Sequence, residues 1–460
     1  MTDTAVQTGA AGAPESATGG APGSATPGAS AAASPGAAHR TVALWMLFAI
    51  GTLNFVDRQL LSVLVEPIRA EMAFSDTQFG LLTGLSFALF YALMGVPFAM
   101  AADRWHRVRL IAAACAVWSV FTAACGLAGN FAQLALARFG VGVGEAGGTA
   151  PSLSVLADYY PPDRRPLVIG IFTANGPFGV FLGAAFGGWA AATIGWRGAF
   201  IAIGAIGALV AAPLLVMLVR EPARGQMDAR GPVAAPQAAL PMGASFALFL
   251  RRRSLRMLAV ASGLSAFVSY GMLNWIPAFL MRTQGMPLSA LATWFAPAAG
   301  ITFGLGIWGG GALVNWAARR SPAAYALVPC AATLVLIPSF AAALLVDSWQ
   351  WSLALMLVPM VACTIYVAPA LALVQNLTPP RARATASAIL LLMFNLVGLG
   401  GGPLVIGMIS DAIAPAHGAE SLRYALLCTL PAAALAAIAQ FRMARVVSAD
   451  MHGYHTDGEA

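Results

Sequence analysis

Long apolar runs separated by short polar segments fill the sequence between Thr41 and Phe441. Each run is close to the roughly 20 residues that a helix needs to cross about 30 Å of hydrocarbon. The pattern therefore predicts an all-α membrane protein with twelve transmembrane helices. We place these spans at residues 41 to 64, 77 to 101, 109 to 128, 131 to 156, 166 to 191, 197 to 219, 255 to 281, 290 to 315, 322 to 346, 350 to 375, 384 to 410 and 421 to 441.

The composition indicates a lipid environment and gives no sign of enzyme chemistry. The chain is 59% hydrophobic and 9% charged, whereas a typical soluble domain is about 25% charged. Its five cysteines are scattered without the spacing of a metal site. All five histidines lie near the termini or in predicted loops. We therefore expect no metal, no cofactor and no catalytic residues.

Segment composition predicts how the chain is organised. Residues 1 to 38 are almost entirely Ala, Gly, Pro, Ser and Thr, with too few large apolar groups to offset the entropy of ordering. We expect a disordered tail there, and no signal peptide, since a basic start and an apolar core are missing. The predicted segments that follow are a six-helix bundle at 41 to 219, a cytoplasmic linker at 220 to 254, a second six-helix bundle at 255 to 445 and a C-terminal tail at 446 to 460.

The arginines predict the orientation of the chain in the membrane. With the N-terminus inside, nineteen arginines fall in inner segments and four in outer segments, and the chain contains no lysine. The positive-inside rule then places both termini in the cytoplasm. We attribute the net charge of +7 to membrane topology and not to nucleic-acid binding. The expected location is the inner (plasma) membrane of the cell.

Two short matches indicate that the halves of the chain are related. GTLNFVDRQLL (51 to 61) aligns with GMLNWIPAFLM (271 to 281) at an offset of 220 residues. YYPPDRR (159 to 165) aligns with LTPPRAR (377 to 383) at an offset of 218 residues. A parallel repeat of two six-helix units is a known transporter plan, with the substrate site near the bilayer midplane between the units.

Four charged residues lie too deep in the predicted spans for their side chains to reach a membrane surface. They are Asp57, Arg58, Arg138 and Glu145. A charge at bilayer depth costs about 2.5 to 3.5 kcal/mol even on the most lenient scale, so each group must be paired or face water. Arg138 and Glu145 are seven residues apart and therefore lie on one face of the fourth helix. We expect that removing Arg138 leaves Glu145 unpaired.

No charge lies deep in any predicted span of the second half, which has a proline and an alanine where the first half has Asp57 and Arg58. Ion pairs that only held helices together could occur in either half, so we predict a functional role; a structural network is the alternative. A neighbouring arginine favours the ionised form of a carboxyl group, whereas loss of water favours the protonated form. Asp57 and Glu145 are thus the predicted proton-coupling residues. Arg58 or Arg138, once released, would bind an anionic head group.

Several motifs resemble those of the major facilitator superfamily of transporters. AMAADRWHRVR (99 to 109) is similar to the family's loop signature G-x-x-x-D-R-x-G-R-R, although Ala99 and His106 replace both glycines. RFGVGVGEA (138 to 146) fits the R-x-x-x-G-x-G pattern of the fourth helix, and its GEA ending together with VDRQ in the first helix resembles the spinster-like branch. The resemblance covers about residues 41 to 445. It implies two six-helix pseudo-repeats whose first and fourth helices line a central cavity.

The resemblance also implies a gating role for Asp103, Arg104 and Arg107. An acid at the inner end of a helix can pair with facing arginines when that side is closed and release them on opening. A solvated basic loop that follows the positive-inside rule is the alternative.

The second half would supply the opposite wall of the cavity. The candidates for substrate contact there are Tyr270, Asn274, Trp275 and Asn395. Ordinary packing is the alternative for each of them, because most apolar and aromatic residues in a helical bundle serve that purpose.

The implied function is proton-coupled secondary active transport by alternating access. The resemblance associates the chain with small amphiphilic solutes, either lysolipid-like molecules or organic anions. Two alternatives stay open: a drug or metabolite efflux antiporter, and a transporter-like receptor without net transport. The expected partners are a small-molecule substrate, protons and the lipid bilayer, and the expected oligomeric state is a monomer.

Overall fold

The computed structural model describes residues 37–227, 242–378 and 383–457, and every secondary-structure element in these ranges is helical. The all-α prediction is therefore confirmed. Most of the predicted N-terminal tail, the middle of the predicted linker with Arg230, and Arg381 lie outside the described residues. All described helices belong to a single unit, Gly36–Ala460.

The first half of the described chain, residues 37–227, contains helices α1 to α8. Side chains mark two of the helix starts: the Ser75 hydroxyl accepts from the backbone N–H of Gln78, and the Asn130 side chain accepts from that of Gln133. Such caps satisfy N–H groups that have no partner within the helix. The bounds are Ala37–Val63 for α1, Val65–Met72 for α2, Asp76–Arg104 for α3, Arg107–Leu127 for α4, Phe131–Glu145 for α5, Thr149–Tyr159 for α6, Arg165–Thr193 for α7 and Gly195–Leu218 for α8.

The second half, residues 242–457, contains helices α9 to α15. Gly418, which follows α14, has a positive φ of 54°, a backbone conformation that glycine adopts readily, and the chain turns there towards α15. The bounds are Met242–Arg251 for α9, Arg253–Arg282 for α10, Leu288–Ala318 for α11, Ala324–Leu345 for α12, Trp349–Asn376 for α13, the consecutive segments Arg383–Met393, Phe394–Gly401 and Gly402–His417 for α14, and the segments Ser421–Leu427 and Leu430–Asp457 for α15.

Each predicted span overlaps helix, but several spans are not simple rods. Within the described ranges, nine helices are long and apolar enough to cross a membrane, or ten if α1 and α2, bent by 53°, are counted as one span. The predicted fourth span is divided between α5 and α6. The last two predicted spans overlap the 63-residue run Thr385–Val447, which contains all but the first residue of the two. The twelve-helix count and the side on which the termini lie remain predictions.

The two halves pack together at one end and separate at the other. A Cβ atom added at Gly84 of α3 would lie 2.9 Å from the backbone oxygens of Leu399 and Gly400 in α14, so these backbones are in direct contact. Three turns further along α3, a Cβ atom added at Gly95 would meet no described atom within 4 Å. We call the end that holds the start of α3 the closed end, and the opposite end, which holds Arg104, the open end.

The pair α7 and α11 repeats this arrangement. Near the closed end, a Cβ atom added at Gly188 of α7 would lie 3.1 Å from the backbone nitrogen of Ala292, just inside α11. Near the open end of α7, the corresponding atom at Gly170 would meet nothing within 4 Å. The contacts between the halves therefore concentrate towards the closed end on both sides of the molecule.

The close approach at Gly84 can be tested against Gly95 on the same helix. Gly84→Ala should lower the free energy of unfolding by about 1 to 3 kcal/mol, because the new methyl group overlaps the backbone of α14. Gly95→Ala should be neutral or slightly stabilising, because it restricts the unfolded chain and meets no neighbour. Thermal unfolding of the two purified variants in one detergent measures the difference. Equal melting temperatures would contradict the described packing.

Candidate functional site

The four deep charges meet between α1 and α5. Asp57 and Arg58 are consecutive on α1, and Arg138 and Glu145 lie two turns apart on α5. The Asp57, Arg138 and Glu145 residues are at most 2% exposed, whereas the Arg58 side chain is 22% exposed. The first and fourth predicted spans thus bring these side chains together in the interior of the helical bundle.

The ion pairs run crosswise between the two helices. Arg58 donates through Nε to Oε2 of Glu145 at 2.7 Å, and Arg138 donates through Nη1 to Oδ2 of Asp57 at 3.1 Å. The expectation that Arg138 holds Glu145 directly is therefore corrected, and it is Asp57 that loses its partner if Arg138 is removed. Two helical turns separate Arg138 from Glu145 by about 10 Å along the axis, so each residue reaches across to α1 instead.

The cluster leaves several buried polar atoms without a partner. Oδ1 of Asp57, Oε1 of Glu145 and Nε of Arg138 are inaccessible and have no hydrogen-bond partner among the described residues. Buried polar atoms are normally hydrogen-bonded, and a partly satisfied network in a low dielectric is costly. Each carboxylate therefore keeps one oxygen free to accept a proton or a hydrogen bond from a ligand or water molecule.

The guanidinium of Arg58 has two nitrogens that are not used in the ion pair with Glu145. Only its Nε is hydrogen-bonded, so both Nη groups have no acceptor among the described residues. Its Cζ lies 4.4 Å from the ring centroid of Phe87, 5.3 Å from that of Tyr91 and 5.5 Å from that of Phe55. Aromatic rings at this distance attract a cation through their faces, and the rest of their surface is hydrophobic. The site thus offers a fork of N–H donors in an apolar surrounding.

A small cavity lies beside these groups and is shared by both halves. Its volume is about 40 Å³, enough for only a few water molecules. Across it, the Ser62 hydroxyl donates to Oδ1 of Asn274 at 2.9 Å, which links α1 to α10. Its lining residues are Phe55, Arg58, Gln59, Ser62, Thr83, Phe87, Arg138, Val180, Tyr270, Leu273, Asn274 and Leu399. An organic solute of ordinary size would therefore enter only if the surrounding helices moved apart.

Two of the candidates from the second half do not line this cavity. The indole N–H of Trp275 donates to the backbone oxygen of Pro403 at 2.9 Å, and its ring meets Phe79 edge-on with centroids 4.8 Å apart. Trp275 thus packs α10 against α14 and α3. Asn395 donates to the carbonyl of Leu391 in its own helix at 2.9 Å. Tyr270 and Asn274 are the predicted residues of α10 that do face the cavity.

The predicted gating residues have two different environments at the open end. Asp103 and Arg104 are exposed, and neither forms an ion pair with a described residue. Arg107 is 1% exposed; it pairs with Asp158 at the end of α6 and, through Nε, with Glu221 after α8 at 2.6 Å. These contacts all lie within the first half, so they fasten its open end together and do not bridge to the second half.

A second charge network, at the closed end, was not recognised in the sequence. Arg282 at the end of α10 binds Glu66 of α2 with Nη2 to Oε1 at 2.7 Å, and Asp76 of α3 with Nη1 to Oδ2 at 2.7 Å. Arg69 adds a contact of 2.5 Å to the same Asp76, which is 2% exposed. Arg282 comes from the second half and both acids come from the first, and so this network joins the halves where they already touch.

A carboxylate of the second half also caps α3. The two oxygens of Asp411 accept from the backbone N–H groups of Asp76 at 3.0 Å and Thr77 at 2.7 Å, and Ser410 donates to Asp76 at 2.7 Å. An acid at a helix N-terminus satisfies free N–H groups and interacts favourably with the helix dipole. The pattern of Ser75 followed by Gln78 is a sequence signal for the start of α3, but it gives no sign of the partner from α14.

Known proteins similar to this chain agree on its family. Residues 47–403 match the family model of the Major Facilitator Superfamily. An MFS-type efflux pump of Mycolicibacterium smegmatis is 34% identical over 390 residues, which cover 85% of this chain and 89% of that protein. A hexuronate transporter of Bacillus subtilis is 27% identical over 249 residues, covering 54% of this chain and 58% of that protein.

A solved structure has the same fold over almost the whole chain. It is the crystal structure of a bacterial homologue of the human lysosomal transporter Spinster in an inward-facing and unoccupied conformation, with 33% identity and a TM-score of 0.83. The match covers 90% of this chain and 99% of that chain. Together, the family model, the efflux pump and this structure show that the chain is not an enzyme but a multi-pass membrane transporter of the major facilitator superfamily, in its spinster-like branch.

Proposed function

We propose that this protein is a proton-coupled transporter of a small organic anion with an apolar part, and that it works by alternating access. The observation that carries the proposal is the crosswise pairing of two buried acids with two arginines beside a cavity shared by both halves. Intramembrane ionisable groups with this arrangement typically mark substrate pathways and proton relays. The location that fits the arginine distribution is the inner membrane, with the open end in the cytoplasm.

Arg58 is the proposed anchor for the substrate's negative charge. Its two free Nη groups form a fork that fits a carboxylate or phosphate by paired hydrogen bonds. The rings of Phe55, Phe87 and Tyr91 around it would contact an apolar portion of the same molecule. The similarity to a transporter named for an organic acid, hexuronate, also supports an anion.

Glu145 and Asp57 are the proposed proton carriers. An anion bound to Arg58 would compete with Glu145 for the guanidinium, and an unpaired buried carboxylate is strongly driven to take up a proton. The anion and the proton would therefore bind together. Protonation of Asp57 would likewise release Arg138, which also lines the cavity.

A drug or metabolite efflux antiporter is a second candidate, favoured by the similarity to the efflux pump. A cationic solute would pair with Glu145 and leave Arg58 free, so such a solute and a proton would compete for the site. The two candidates differ in one observable: proton uptake accompanies substrate binding in the first and is opposed by it in the second.

The proposed moving bodies are the two bundles, residues 41 to 219 and 255 to 445. The linker at 220 to 254 joins them. In the described state the open end would give access to the cytoplasm. The Arg282 network would seal the closed end and separate when the molecule faces outward, since buried ion pairs between bundles have two discrete arrangements. In that outward-facing state the open end would close, and Asp103 and Arg104, which are exposed there now, would find partners.

The crosswise pairing predicts which double substitution restores stability. Arg138→Gln should lower the free energy of unfolding by about 3 to 5 kcal/mol, because Asp57 is left as an uncompensated buried charge. Adding Asp57→Asn should restore most of the loss. Adding Glu145→Gln should restore less, because Glu145 keeps Arg58 as its partner. Thermal unfolding of the two double variants, treated as a double-mutant cycle, makes the comparison, and equal recovery would refute the pairing.

Proton coupling predicts a separation between driven transport and exchange. A thermal-shift screen of lysophosphatidylglycerol, hexuronate, benzoate and a neutral hexose identifies a ligand, since binding stabilises the folded state. In liposomes, a pH difference should then drive its uptake by the wild-type protein. Asp57→Asn and Glu145→Gln should each lose this driven uptake, because a neutral amide cannot exchange a proton, but should retain counterflow exchange.

Asp163→Asn is the control for these variants, because Asp163 is exposed in the loop between α6 and α7. It should transport like the wild-type protein. Flux of a charged substrate that ignores the pH difference would exclude proton coupling. Stabilisation by the neutral hexose alone would exclude the anion as substrate. Driven transport by both neutralised variants would assign the ion pairs a purely structural role.

The closed-end network predicts a change in conformational populations. Arg282→Gln should raise the population open at that end by about tenfold or more, because losing a buried ion pair costs more than about 1.4 kcal/mol. Spin labels at Thr193 and Gln350, which lie at the closed end of opposite halves, report the distance. Arg197→Gln is the control, because Arg197 pairs with Glu71 within one half. An unchanged distance distribution for Arg282→Gln would contradict a sealing role.

A further inference from the structure

Two apolar grooves mark the outer surface of the second half, one towards each end. The open-end groove lies among α11, α12 and α13 and has a volume of about 790 Å³. Ser321 is its single polar lining residue, and Leu313, Leu327, Val335 and Val358 are exposed along it. The closed-end groove lies between α11 and α13, measures about 730 Å³ and includes Trp294 and Gln350.

The open-end groove has the length of one leaflet of a bilayer. Along α12 its lining residues run from Ala324 to Val335. Eleven residues of helix rise about 16 Å, which is about half of the 30 Å hydrocarbon thickness. Lipid acyl chains from the leaflet at the open end would therefore fit along it from the polar surface to the midplane.

Two arginines are close in the chain to residues that line this groove. Arg319 and Arg320 are exposed and lie between the lining residues Ala317 and Ser321 in the chain. Neither has an acidic partner among the described residues. The guanidinium carbon of Arg320 lies 4.3 Å from the ring centroid of Trp316, a contact that orients the cation. Among the residues that line the closed-end groove there is no arginine.

We propose that the open-end groove binds a phospholipid with an anionic head group, whose phosphate contacts Arg319 and Arg320. Basic residues between membrane helices recognise anionic head groups, whereas an apolar groove alone accepts acyl chains of any lipid. The positive-inside rule accounts for arginines anywhere at this end. Arg319 and Arg320 differ from these other arginines because they lie in the chain between Ala317 and Ser321, two residues that line a groove as long as one leaflet.

The test is a lipid titration that does not depend on transport. Native mass spectrometry of the purified full chain, in neutral detergent, counts bound phosphatidylglycerol and phosphatidylcholine. The wild-type protein should retain phosphatidylglycerol preferentially. Arg319→Gln combined with Arg320→Gln should weaken that binding by roughly 30-fold, which corresponds to about 1 kcal/mol for each arginine near the surface.

Arg442→Gln combined with Arg445→Gln is the matched control for charge. Both residues are exposed at the same end, and Arg445 lies 4.9 Å from the ring of Phe441, but no residue of α15 lines the groove. This control should bind phosphatidylglycerol like the wild-type protein. An equal loss in both double variants, or equal retention of the two lipids by the wild-type protein, would overturn the proposal.

A second pair of variants tests the groove itself. Ala331 lines the open-end groove and Ala354 the closed-end groove, and both are exposed. Ala331→Trp should displace phosphatidylglycerol while leaving both arginines in place, because the indole fills the space for the acyl chain. Ala354→Trp should leave phosphatidylglycerol binding unchanged. If Ala331→Trp binds the lipid as tightly as the wild-type protein, the groove is not the site.

Discussion

The need to compensate charges at membrane depth is the constraint on which the centre of this molecule depends. Four ionisable side chains share this space, and three of them, Asp57, Arg138 and Glu145, are shielded from solvent. Helices α1 and α5 must therefore keep a fixed register for Asp57 to meet Arg138 and for Arg58 to meet Glu145. The compensation is incomplete, because one oxygen of each acid stays without a partner. A cluster selected for stability alone would be expected to satisfy these atoms or to replace them with apolar groups. The unpaired oxygens are expected to lower the stability of the fold, and they leave the four charges able to change partners.

The two charge networks differ in what they connect. The central cluster lies within the first half, and the described residues of the second half that line the adjacent cavity are neutral: Tyr270, Leu273, Asn274 and Leu399. One of them, Asn274, accepts a hydrogen bond from Ser62. The closed-end network joins charges from both halves through Arg282. Separation of the halves at mid-depth therefore breaks few strong contacts, whereas separation at the closed end breaks several. The charged contacts between the halves are therefore concentrated at the closed end.

Sequence patterns identified the features that follow from single segments. Hydropathy predicted where the helices lie, and the cost of buried charge singled out the four central residues. Pairing partners were harder to assign, because helical spacing relates residues on one helix and says nothing about the neighbouring one. Arg138 and Glu145 share a face and still bind different residues of α1. Asn274 and Trp275 are adjacent in sequence, yet one faces the cavity and the other packs against α14, since consecutive helical residues point about 100° apart.

The partners in the closed-end network were even harder to predict from the sequence. Asp76, Arg282 and Asp411 are separated by more than a hundred residues from one another and look like ordinary surface charges of short loops. Their burial arises only when α3, α10 and α14 converge. A charge at bilayer depth is costly, which gave a physical reason to examine Asp57. A charge near the membrane surface has no such cost, and so the segments around Asp76, Arg282 and Asp411 did not distinguish these residues.

The buried position of Arg107 has a mechanical consequence. By fastening α4, the end of α6 and the segment after α8 to one guanidinium, it makes the open end of the first half stiff. A stiff body transmits a small rearrangement at its centre as a rotation, and the displacement grows with distance from the pivot. The charge cluster lies towards the C-terminal end of α1, whereas Arg107 lies at the open end of the first half, so the two are far apart along this rigid body. A change of ion-pair partners at its centre would then move its rim further than its centre.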